Sequence, residues 1–151
     1  MKVFTSRFGP LEIEPEDILC FPRGLVGFEE CKHWMLLGDD ETDGVAWMQC
    51  LSQPELAMAV VSPRRFLPGY QVRVGKAELL PLQLDESDEV FVLAVVAQNE
   101  RALTVNLKAP ILINLTRLLG RQVIVNDDQP LALEFAPAPS SGSAEELRRS
   151  A

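Results

Sequence analysis

His33 is the only histidine in the chain and the only side chain whose ordinary pKa lies near neutrality, so acid–base or nucleophilic chemistry would start there. It sits in Cys31-Lys32-His33-Trp34, ahead of an apolar run. A cysteine nucleophile needs an imidazole aligned with its thiol. Residues two apart on a strand share a face without that alignment, so the pair reads as a packed cysteine beside a strand-edge histidine. Cys20, Cys31, Cys50 and His33 have the ligand count of a zinc site, but structural zinc ligands come in closely spaced pairs and no Cys-x-x-Cys occurs. Carboxylates are abundant, yet abundance does not set the separation that an acid–base pair requires. The P-loop, the dinucleotide fingerprint and Gly-x-Ser-x-Gly are all absent. The expectation is no catalytic residue, no metal and no cofactor. The alternative is a small β-barrel that holds a flavin or nucleotide, for which no phosphate cradle is present.

The elements that would position any site are short strands. Candidates are Lys2–Arg7, Leu11–Glu14, Ile18–Phe21, Trp34–Leu37, Ala46–Cys50, Leu56–Val61, Tyr70–Val74, Val90–Ala97, Ala102–Leu107, Ile111–Asn114, Gln122–Val125 and Leu131–Phe135. Gly, Pro, Asn and Asp separate them at the spacing of a barrel or sandwich. The run from Val90 to Val96 does not alternate and predicts a central strand covered on both faces. Eleven prolines, most of them between the runs, oppose long helices. A short helix is predicted at Lys76–Leu80 and a single turn at Thr116–Leu119. The fold class is therefore all-β: one barrel-like domain over residues 1–135, with about ten to twelve short strands. Residues 136–151, rich in Pro, Ser and Ala, are expected to form a disordered tail.

Charge narrows the partners. The chain carries −8, with a pI near 4.7, which argues against direct nucleic-acid binding. Residues 1–43 hold ten acidic and four basic side chains, so most of the excess lies in the first third. Leu11-Glu12-Ile13-Glu14 alternates, placing both glutamates outward, and Glu16, Asp17 and the loop Asp39–Asp43 add to the field. No signal-peptide core and no apolar run of spanning length is present, so a cytoplasmic location away from membranes is expected. Three widely spaced cysteines do not suggest a disulfide framework.

Three stretches together resemble the flagellar assembly factor family FliW. The first is Thr5-Ser6-Arg7-Phe8-Gly9 with Leu11-Glu12-Ile13 and Asp17-Ile18, running into Phe21-Pro22-Arg23-Gly24-Leu25-Val26-Gly27-Phe28-Glu29. The second is Trp47-Met48-Gln49-Cys50-Leu51, then Pro54-Glu55-Leu56-Ala57 and Val60-Val61-Ser62-Pro63. The third is Thr104-Val105-Asn106-Leu107-Lys108-Ala109-Pro110-Ile111-Leu112-Ile113-Asn114, then Gly120-Arg121-Gln122-Val123. Family members usually carry proline where Val26 stands, and often end in an aromatic and basic strand where this chain has Leu131-Ala132-Leu133-Glu134-Phe135.

The resemblance implies a non-catalytic β-barrel that binds flagellin before export and binds the translational repressor CsrA, keeping it from flagellin messenger RNA. CsrA must attract RNA, so its working surface is basic, and an acidic face would suit it. Glu12, Glu14, Glu16, Asp17 and Glu29 are the expected contributors. Gly24 and Gly27 bracket Leu25 and Val26, so the loop can present or bury them; Leu25 and Phe28 are the expected apolar contacts, with Phe28 anchoring the loop to the barrel. Asn106 and Asn114 read as residues that satisfy backbone groups where the strand breaks at Pro110.

Overall fold

The apolar runs, cut by turn residues, form eleven strands in the computed structural model, which describes residues 1–38 and 44–137. They are β1 (Lys2–Thr5), β2 (Gly9–Glu12), β3 (Leu19–Cys20), β4 (His33–Gly38), β5 (Val45–Cys50) and β6 (Ala57–Val61). After them come β7 (Val90–Gln98), β8 (Ala102–Val105), β9 (Ile111–Asn114), β10 (Leu119–Gln122) and β11 (Leu133–Pro137). The one α-helix among the described residues, α1 (Lys76–Leu79), runs directly into a 3-10 turn at Leu80–Leu82. No helix among the described residues is long and apolar enough to cross a membrane.

A single long strand closes the barrel. The first half of β7 pairs with β9, from Val90 opposite Asn114 to Leu93 opposite Ile111. Its middle pairs with β6 at Val60–Val95 and Val61–Ala94. From β6 the sheet continues through β5, β4, β3 and β10 back to β9, so the ring is complete. The β3–β10 junction is the one parallel pairing in this ring, with Leu119 opposite Cys20. The last residues of β7 leave the ring and pair with β8, which carries β11 at the edge. β1 and β2 form a separate two-stranded ribbon.

Alternation assigns the two faces of the ring strands. Inward go Trp34, Met48, Val60, Ile111 and Ile113, packed with Phe21 and Leu25. Outward go Trp47, Ala59, Val61, Ala94 and Val96, covered by Tyr70, Phe66 and residues of β8 and β11. A third cluster sets Leu82, from the turn after α1, on Leu112 and Val123. The interior is thus filled with side chains, and a flavin or nucleotide would have to bind outside it.

Four expectations need correction. Tyr70–Val74 is not a strand. It is pinned instead by the Tyr70 hydroxyl, which donates to the Leu107 carbonyl at 2.6 Å, and by the Asn126 amide, which donates to the Arg73 carbonyl at 2.8 Å. The strand expected at Gln122–Val125 begins three residues earlier, because the turn at Leu115–Leu118, with Leu118 at φ 57°, reverses the chain directly into Leu119. Beyond Gln122 the pairing turns irregular where the Val123 amide meets the carbonyl of Pro110, which has no N–H to return. The start of β7 is not covered on both faces: Val90 and Phe91 are exposed. The last strand reaches Pro137, past the expected boundary at 135, while 138–151 of the expected tail and the acidic loop Asp39–Asp43 lie outside the described residues.

Candidate functional site

Two of the recognisable stretches meet at one end of the barrel. After Phe21 the chain turns at Pro22-Arg23, and the Gly24 amide donates to the Phe21 carbonyl at 2.8 Å. Gly24 has φ 63°, and a Cβ there would lie 2.6 Å from the Glu29 Cα, so no other residue fits this crossing without backbone movement. A tight hairpin follows, with the Phe28 amide donating to the Leu25 carbonyl at 2.8 Å. Gly27 has φ 87° and Val26 is not among the positive-φ residues, which defines a type II turn with Val26 at its second position. That position suits proline, and it explains how valine replaces it without changing the turn.

The hairpin divides its apolar residues sharply. Leu25 is 2% exposed and belongs to the barrel core, whereas Val26 is 62% exposed and Phe28 39%. The anchor of this loop is therefore Leu25 rather than Phe28, which is a presented side chain. Gln122 fixes the hairpin to the third stretch. Its Oε1 accepts from the Val26 amide at 2.9 Å and its Nε2 donates to the Ala109 carbonyl at 3.0 Å. Asn106 shapes the other wall, its Oδ1 accepting from the Lys108 and Ala109 amides at 3.0 and 3.1 Å. Asn114 works in the same way beyond Pro110, accepting from the Thr116 amide at 3.1 Å.

Between these walls lies an apolar groove of about 290 Å³, floored by Leu25, Met58 and Val95. Val26, Phe28, Ile124 and Leu131 form its upper edges, with Ile124 59% and Leu131 68% exposed. On the other side of Phe28 is a second concavity of about 330 Å³, bounded by Gly27, Glu29, Glu30, Cys31 and Gln53. Sequence reasoning named Leu25, Phe28 and Glu29 as contacts and left Val26 as able to be presented or buried, but it did not point to Ile124 or Leu131. Isolated aliphatic residues beside turns carry no periodic signal that would separate exposed from buried.

The other acidic residues sit on different elements. Glu12 ends β2 and accepts from the N-terminal ammonium of Met1 at 3.3 Å. Glu14, Glu16 and Asp17 follow on the 3-10 turn Pro15–Asp17 and its cap. Asp17 also has a structural task, since its carboxylate accepts from the Glu14 amide at 2.8 Å and closes that turn. Glu12, Glu14 and Glu16 are exposed, with Ile13 buried between them, as the alternation requires.

The residues first considered for catalysis divide between the surface and the core. His33 is exposed at the start of β4, opposite Cys20 on β3. Cys31 and Cys50 are buried thiols in the barrel core, with Gln53 Nε2 donating to the Cys31 sulfur at 3.0 Å. Burial, followed by the neighbouring Cys50, pushes the Cys31 thiol up to about 11, the opposite of what a nucleophile needs. Among the described residues no group of three or more His, Cys, Asp or Glu side chains is placed to hold a metal ion. What this end of the barrel offers is shape, apolar surface and carboxylates.

Comparison with known proteins gives the family. The FliW protein family model matches residues 2–134. The flagellar assembly factor FliW of Moorella thermoacetica is 39% identical over 128 residues, covering 83% of this chain and 81% of that protein. The corresponding factor of Natranaerobius thermophilus is 33% identical over 129 residues, covering 83% and 85%. A crystal structure of the flagellar assembly factor FliW superposes with a TM-score of 0.80 at 29% identity, covering 90% of this chain and 96% of that one.

Proposed function

Because the chain belongs to the FliW family of flagellar assembly factors, we propose that it works by protein contact alone, binding flagellin before export and separately binding the repressor CsrA. The observation that carries this reading is the convergence of two family stretches on an exposed apolar groove, with the hairpin of one tied to the other through Gln122. A protein that holds partners rather than transforming them needs presented apolar side chains and a fixed frame, and Val26 and Phe28 on the Gln122 bridge supply both.

The CsrA contact is electrostatic in part. Glu12, Glu14 and Glu16 project from the N-terminal ribbon and its turn, and Glu29 from the hairpin. A basic RNA-binding surface is drawn to such a face, and the same carboxylates repel the phosphates that compete for it. The protein acts in the cytoplasm, where both partners are made. Titration of purified protein with flagellin and with CsrA, each alone, tests the reading. Saturable binding to both supports it. Failure to bind either one ends it.

Replacing Glu12, Glu14 and Glu16 by lysine is the finer test, because rim charges act mainly on the association rate and its salt dependence. CsrA association should slow and lose its sensitivity to salt, while the dissociation rate stays near that of the parent. Unchanged association at low and high salt would remove the electrostatic part of the proposal.

A further inference from the structure

Phe28 separates two unlike concavities. On one side is the apolar groove edged by Val26, Ile124 and Leu131. On the other is the hollow bounded by Glu29, Glu30, Cys31 and Gln53, in which both charged side chains are acidic. The one lysine in the groove wall, Lys108, is turned to the Asp127 carbonyl, to which its ammonium donates at 2.7 Å. Type II geometry at Val26-Gly27 and the Gln122 bridge hold Phe28 between the two hollows.

From this arrangement we propose that the hairpin end of the barrel docks a polypeptide segment in which a large apolar side chain is closely followed or preceded by Lys or Arg. The apolar side chain seats against Val26, Ile124 and Leu131, and the cation enters the hollow walled by Glu29 and Glu30. Charge complementarity selects this occupant. An acidic segment would bring like charges together beside Phe28, and a purely polar one would leave the groove's apolar surface in water. The inference rests on the reading that the chain works by protein contact, and it adds the chemistry of the contact at this end.

Three fluorescein-labelled synthetic peptides of equal length test it without flagellin or CsrA, so the outcome is separate from that of the partner titrations. One combines Leu with Lys, one Leu with Glu, and one Ser with Lys. Fluorescence anisotropy is read for the full chain, for Glu29→Lys/Glu30→Lys, and for Ile124→Ser/Leu131→Ser. The Leu–Lys peptide should bind the parent saturably, at least about tenfold more tightly than either of the others. The double lysine variant should reverse the preference in favour of the Leu–Glu peptide, a gain that misfolding does not produce. The double serine variant should weaken Leu–Lys binding about tenfold with an unchanged unfolding temperature. Absent Leu–Lys binding, equal binding of the Leu–Glu peptide to the parent, or no reversal in the lysine variant would each overturn the proposal.

Discussion

The backbone amide of Val26 donates to Oε1 of Gln122 at 2.9 Å, joining residues 96 apart in sequence. The same glutamine donates from Nε2 to Ala109 at 3.0 Å, so one side chain sets the distance between the two walls of the groove. A proline at position 26 would keep the turn but lose this donor. Valine therefore gives this chain a tether that a proline at this position would not allow.

Gln122→Ala should cost about 0.5–1.5 kcal/mol, because each bond exchanges with water at a modest net loss. Its clearer effect is local: exchange of the Phe28 amide should accelerate several-fold more than that of amides in β5. Val26→Pro should change global stability by less than about 1 kcal/mol, the lost bond being offset by a stiffer unfolded chain. Urea unfolding and native-state hydrogen exchange measure both.

Gly24→Ala should be the most damaging change in the hairpin. The added Cβ meets the Glu29 Cα at 2.6 Å and the Phe28 carbonyl oxygen at 2.7 Å, and φ 63° is itself unfavourable for alanine. A loss of about 2–4 kcal/mol is expected from strain and overpacking together. Denaturant unfolding reads it directly, and a loss below 1 kcal/mol would mean that the crossing relaxes easily.

Stability should fall in alkali. Burial, first of all, raises the Cys31 thiol from 9.0 to about 11 and the Tyr70 hydroxyl from 10.0 to about 12. The fold favours the protonated form of each, so their stabilisation is complete below the unfolded values and is lost as pH rises through the folded ones. Unfolding midpoints should therefore decline between about pH 9 and 12. At pH near 8 a thiol reagent should modify half-buried Cys20 in the native protein and reach buried Cys31 and Cys50 only on unfolding. Cys31→Ser should flatten the first part of the alkaline decline.

The acid limb has a named contributor in Asp88. The Asp85 amide, then the Asn114 side chain, hold its carboxyl below the usual range, with Arg117 adding to the effect. Depression of this kind stabilises the fold above the ordinary carboxylate pKa, and the contribution disappears as pH falls through the folded value. Asp88→Asn should lower stability at neutral pH and reduce its dependence on pH in the acid range, as followed by thermal unfolding across that range.

Much of the architecture is legible in the residues. The mainly apolar run Ala46–Cys50 and the punctuation of Pro and Gly place β5 and its neighbours, and Lys76-Ala77-Glu78-Leu79 before Pro81 marks the helix. Tyr70-Gln71-Val72-Arg73-Val74 misleads because alternation reports which side chains are buried, not whether the backbone finds a ladder. The candidate site is half legible. Gly24, Gly27 and Phe28 stand out as loop chemistry, but the contacts of Gln122 with Val26 and Ala109 are long-range facts that no local pattern encodes. Exposure of Ile124 and Leu131 is equally invisible until the barrel closes.

The most direct test of the central claim is a reconstituted exchange. CsrA is bound to the leader of flagellin messenger RNA, the protein is added, and the fraction of RNA still held is measured before and after flagellin is supplied. The account predicts that the protein releases the RNA in a saturable manner and that flagellin restores CsrA to it. RNA that stays bound to CsrA at saturating protein, or release that flagellin does not reverse, would contradict it.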